Sequence, residues 1–168
     1  MDSKSIYRQI REELKLSREK ASELMGAITP ERLERIENGK FAPTPWEVGC
    51  MADTYNKPEL RNYYCAHECE LGINRVKELE VKDISQIVLE IINSLNTINQ
   101  TKDRLVQITV DGKIDDDEID DFVEIQKELD DIAGTVSTMQ LWVEKMINSG
   151  KINKEMYDAK KGVDKVLK

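Results

Sequence analysis

The chain has 168 residues, 39% hydrophobic, 35% charged and 5% aromatic, with a formal net charge of -8 and a pI near 4.9. This is enough apolar material for one large or two small packed domains. It excludes a bilayer-spanning chain, because no apolar run is long enough. Long alternation of β-branched residues is absent and no signal-peptide pattern opens the sequence, so a cytoplasmic, all-α protein is expected. The acidity is uneven: residues 1–72 hold 11 basic and 13 acidic residues, and residues 73–168 hold 14 and 20. The first half is thus close to neutral. A nucleic-acid surface there requires its Lys and Arg to face one way, and Arg8, Arg11, Arg18, Arg32, Arg35 and Lys40 are the available set.

In chain order, Ile6, Ile10 and Leu14 at spacing four predict a first helix over 5–14. Ser17 is a cap residue for a second helix over 17–25, whose apolar face closes with Leu24 and Met25 before Gly26. Thr29 before Pro30 sets a third helix over 30–37, since proline at the first helical position gives up no hydrogen bond. Leu33 and Ile36 share one face of it, and Asn38-Gly39 ends it through residues that tolerate a left-handed backbone. Thr44-Pro45 opens a fourth helix with Trp46, Val48, Met51 and Ala52 on its apolar side, and Pro58 opens a fifth, Glu59 to about Cys65. Two short helices joined by a glycine-containing turn, 17–25 and 30–37, are the layout of a helix-turn-helix.

On these residues the chain resembles the Xre-type helix-turn-helix family, which includes the phage repressors. Arg35-Ile36-Glu37-Asn38-Gly39-Lys40, with Pro43 following, is similar to the family's most recognisable segment, and Ile10 to Leu14 is similar to its first helix. The resemblance covers about residues 5–65. It implies a five-helix DNA-binding domain whose third helix enters the major groove, and a following segment that dimerises or senses a signal. It also implies a DNA-contacting set of Arg18, Thr29, Glu31, Arg32, Arg35 and Lys40. Arg18 stands where the family often has a glutamine, and Ala21 where a leucine is usual; one extra residue lengthens the turn between Gly26 and Asn38. Glu31 and Glu34 on the same helix repel phosphate, although a glutamate can accept from a cytosine amino group.

Residues 69–82 read as a connector around Gly72. Beyond Asp83, Ile84, Ile87, Ile91, Leu95, Ile98, Leu105 and Ile108 predict one long amphipathic helix, broken at Asp111-Gly112. Ile119, Phe122, Leu129, Ile132, Val136, Met139, Val143 and Met146 then step by an average near 3.5, a coiled-coil-like seam, with Ser149-Gly150 as its end. A last helix from about Lys154 carries Met156, Val163 and Leu167. The expected organisation is a helix-turn-helix domain over 1–68, a connector over 69–82, and an antiparallel helical hairpin with a third short helix over 83–168. The apolar stripes have to meet each other or a second copy, which makes a homodimer through the carboxy-terminal helices the expected partner beside double-stranded DNA.

Three constellations carry possible chemistry. Cys50, Cys65, His67 and Cys69 are all the cysteines and the single histidine, a soft donor set for zinc; the alternative is a packed Cys50 and three residues at a helix end. Asp111-Gly112-Lys113-Ile114 to Glu118 resembles half a calcium loop, but Gln107 and Thr109 stand where carboxylates are needed. Asp115 to Asp121 is an acidic helix start favoured by the helix dipole. No nucleophile-base pair or phosphate-cradling glycine loop occurs, so neither an enzyme nor a resident cofactor is expected. Two functions remain: a sequence-specific transcriptional regulator, and a protein-interaction adaptor on a helix-turn-helix fold without strong DNA affinity.

Overall fold

The computed structural model describes residues 5–162. Helices α1 (Ile6–Glu13), α2 (Arg18–Met25), α3 (Pro30–Glu37), α4 (Pro45–Thr54), α5 (Glu59–His67), α6 (Ile84–Ile108), α7 (Ile119–Asn148) and α8 (Lys154–Lys161) follow in order, and no strand occurs among the described residues. The protein is all-α. The helices form two compact units: one runs to Glu78 and resumes at Val143, the other spans Leu79–Trp142.

In the first unit the helix starts follow the cap residues. The Ser17 and Thr29 hydroxyls accept from the backbone N–H of Lys20 (3.1 Å) and Arg32 (3.2 Å). Thr44 and Glu47 form a reciprocal capping box at 3.3 and 2.7 Å. Each such cap contributes about 1 kcal/mol. The core gathers Tyr7, Ile10, Ala21, Ile28, Leu33, Ile36, Val48, Met51, Ala52, Tyr55 and Leu60. Fully buried members such as Leu33 and Met51 contribute roughly 1.5–3 kcal/mol each.

Three expected faces are corrected. In α1 the buried residues are Tyr7, Ile10 and Arg11, while Leu14 is exposed, so the inward face is rotated from the Ile6-Ile10-Leu14 line. In α2 the packed residue is Ala21, not Leu24. In α4, Val48, Met51, Ala52 and Tyr55 follow i, i+3, i+4, i+7, and Trp46 falls off that face into solvent. Of Asn38-Gly39, only Gly39 is left-handed (φ 66°). Gly72 serves another purpose. It is buried, and a side chain there would run into the Cys65 carbonyl oxygen, so the turn after α5 packs on that helix only with glycine. The last turn of α7 belongs to this unit: Glu144 accepts from Arg61 (2.5 Å), and Lys145 lies 3.5 Å from Glu59. α8 is the expected short last helix, capped by Asn153 accepting from the Met156 N–H at 2.9 Å. Val163 and Leu167 lie outside the described residues.

The second unit is a hairpin of α6 and α7. Thr101 donates to Glu128 (2.9 Å) and Arg104 to Asp121 (2.6 Å). Moving back along α6 therefore moves forward along α7, which fixes the antiparallel sense. Ile87, Ile108, Ile125, Thr138 and Leu141 are buried. The expected seam is corrected here too: Leu95 on α6 and Ile119, Leu129 and Val136 on α7 are exposed. Apolar residues cover more than one face of each helix, and a two-helix hairpin can bury only one.

Candidate nucleic-acid interface

The α2–turn–α3 segment is set by its turn. Gly26 caps α2 in the left-handed region, the Ser22 hydroxyl donates to the Ile28 carbonyl, and the Ile28 side chain is buried. This directs α3 so that Leu33, Ile36 and Glu37 face inward, while Glu31, Glu34 and Arg35 are exposed.

Two carboxylates hold the cationic residues around α3. Glu37, whose side chain is 0% exposed, accepts from Arg11 Nε (2.5 Å) and Nη2 (2.8 Å) and from Arg18 Nε (2.8 Å). Arg11 also donates to the Leu16 carbonyl at 2.6 Å. Its hydrogen bond to Glu37 pushes the guanidinium pKa up against the opposing cost of burial. Arg32 makes the second pair, donating through Nε (2.6 Å) and Nη2 (2.8 Å) to Glu47 and also to the Ala42 carbonyl (3.1 Å). The Arg32 hydrogen bond, with further bonds from Thr44, holds the Glu47 carboxyl at about 2.

Thus Arg11 is not available for DNA, and Arg18 and Arg32 are engaged inside the domain, with side chains 28% and 29% exposed. Thr29 spends its hydroxyl as the α3 cap. Arg35 and Lys40 make no ion pair among the described residues. Both are exposed at the carboxy-terminal end of α3 and just beyond it. Exposed Phe41 lies beside them, with the Arg32 and Arg35 guanidiniums 5.9 and 5.7 Å from its ring centre. Sequence reasoning missed Glu37, Glu47 and Phe41. The first was detectable: Glu37 stands four residues after Leu33, on the apolar face of α3, and Arg11 stands four after Tyr7 on that of α1.

The structure does not gather the soft donors. Cys50 packs against the core, and Cys65 and Cys69 are free thiols. His67 turns to Glu78 (2.8 Å) and Tyr63. Among the described residues no three His, Cys, Asp or Glu side chains converge as a metal-ligand set. Among the described residues no helix is long and apolar enough to cross a membrane.

Fold and site together define a helix-turn-helix domain. Residues 8–59 match the model of a helix-turn-helix family of the Xre/Cro/cI-like type. Neither a curated protein nor a solved structure gives a match.

Proposed function

We propose that the protein is a transcriptional regulator that recognises a specific DNA sequence through α3. The observation that carries this reading is the division of labour on that helix. Its inner face is pinned by Leu33, Ile36 and the Arg11–Glu37–Arg18 cluster, while its outer face presents Arg35 with Lys40 close behind. Arg35 and Lys40 contact the duplex, Glu31 reads a cytosine amino group, and Arg18, Thr29 and Arg32 hold the helix while offering their exposed edges to phosphate. With few free cations the salt dependence is shallow, since each phosphate contact contributes about 0.9 to the logarithmic slope.

The hairpin pairs two copies. Val88, Ile92, Leu95 and Val106 are exposed on α6, and Asn99 and Lys102 complete a four-three seam between them. Polar residues such as Asn99 and Lys102 within an otherwise apolar seam set the register between helices.

Selection from a random duplex library with the full chain tests the reading. One enriched motif is expected, and Arg35→Ala with Lys40→Ala should weaken binding at least tenfold and flatten the salt slope by about 2. Unchanged retention by that double variant overturns it. The engagement of Arg18 and Arg32 in ion pairs favours the adaptor as a second reading. No retention on DNA at low salt, together with capture of a defined protein partner, decides for that one.

A further inference from the structure

Phe41 follows the turn at the end of α3 and is 54% exposed, so core packing does not account for its position. The backbone fixes it from both sides. Gly39 turns the chain at φ 66°, and the Arg35 carbonyl then accepts from the Lys40 N–H (2.9 Å) and from the Phe41 N–H (3.4 Å). On the other side Arg32 donates through Nη2 to the Ala42 carbonyl (3.1 Å). The ring is thereby carried by α3 itself, with the Arg32 and Arg35 guanidiniums 5.9 and 5.7 Å from its centre. The two arginines stand differently toward it. Arg32 is already held by both oxygens of Glu47, at 2.6 and 2.8 Å, and needs no ring to stay in place. Arg35 is exposed and makes no ion pair among the described residues, so the ring is what its guanidinium rests against. A surface arginine gives up its rotamer freedom when it binds, and one resting on an aromatic face has lost part of that freedom beforehand.

We propose that Phe41 is a positioning residue for base readout. Its ring holds the Arg35 guanidinium in the orientation that meets a guanine edge, where an arginine donates to O6 and N7 together. The proposal rests on the reading of α3 as the recognition helix. The effect of Phe41 is confined to the base pair that Arg35 reads.

The test uses the full chain and the duplex enriched by selection, with each base pair varied in turn. Arg35→Ala identifies the guanine as the position where preference is lost. Phe41→Leu keeps an apolar side chain and removes the aromatic face. It should lower the preference for that guanine about two- to fivefold, the worth of an exposed cation–π contact, and leave the other positions unchanged. Phe41→Trp should keep the preference or raise it. In the Arg35→Ala background Phe41→Leu should change nothing further. Nuclear magnetic resonance of the free chain checks the contact without DNA: the Arg35 Nε–H signal should be shifted by the ring and lose that shift in Phe41→Leu. A merely structural role for Phe41 weakens all sequences alike and persists without Arg35. Either of those results, an Arg35→Ala variant that loses no base preference, or an unchanged guanine preference in Phe41→Leu overturns the proposal while the regulator reading stands. If the unaltered chain enriches no site, that reading falls and the proposal falls with it.

Discussion

Replacing Glu37 by glutamine keeps the shape of the side chain and removes the charge that two arginines share. In the native domain Arg11 is 8% and Glu37 0% exposed at the side chain, and they meet through two bonds of 2.5 and 2.8 Å. Arg18 closes on the same carboxylate from a half-buried position. Removing the acid leaves the Arg11 cation buried and uncompensated, whereas Arg18 can turn to water. Breaking a buried pair in this way costs about 3–5 kcal/mol, against a typical total stability of about 5–15 kcal/mol. For a unit of this size that is a fall of roughly 12 °C or more in Tm. Urea unfolding followed by circular dichroism measures it, with Arg11→Met/Glu37→Leu as the control. The double variant removes both members of the pair and should recover most of the loss, because no unpaired charge is left inside. If Glu37→Gln unfolds within about 0.5 kcal/mol of the unaltered protein, the cluster does not hold α3 and this reasoning is refuted.

Glu47 gives a pH signature. Its folded value near 2 lies below the ordinary 4.5, so its contribution of up to about 3 kcal/mol is complete above about pH 4.5 and is lost as pH falls toward 2. A stability profile measured from pH 6 to pH 2 should be flatter in Glu47→Gln, and equal slopes count against the Arg32 pairing. Gly72→Ala should destabilise the first unit by about 1–3 kcal/mol in the same urea assay, because the added carbon meets the Cys65 carbonyl. Ile92→Asp with Leu95→Asp should convert a dimer to monomer in analytical ultracentrifugation while helicity is kept, since both side chains are exposed in the single chain. A dimer that survives this change is held by another surface.

Local chemistry made the helices legible. Ser17, Thr29, Thr44 and Asp83 each stand at a helix start and accept backbone N–H groups there, and Pro30 and Pro45 open their helices. Capping and proline geometry act over three or four residues, so the sequence contains them entirely. The Arg-Ile-Glu-Asn-Gly-Lys segment carried the family in the same way, and the match over 8–59 agrees with it.

Which face of a helix turns inward is a different matter. Trp46, Leu24, Leu129 and Val136 are apolar and exposed, while Arg11, Glu37 and Glu47 are charged and buried. Burial of a charge depends on a partner brought close by the fold, 26 residues away for Arg11 and Glu37 and 15 for Arg32 and Glu47. The linear order of residues therefore determined the helices, their limits and the kind of domain. The assembled chain decided which cations are consumed in holding α3 and which remain for a ligand, because Coulomb pairing acts through space, and only packing brings those groups within reach.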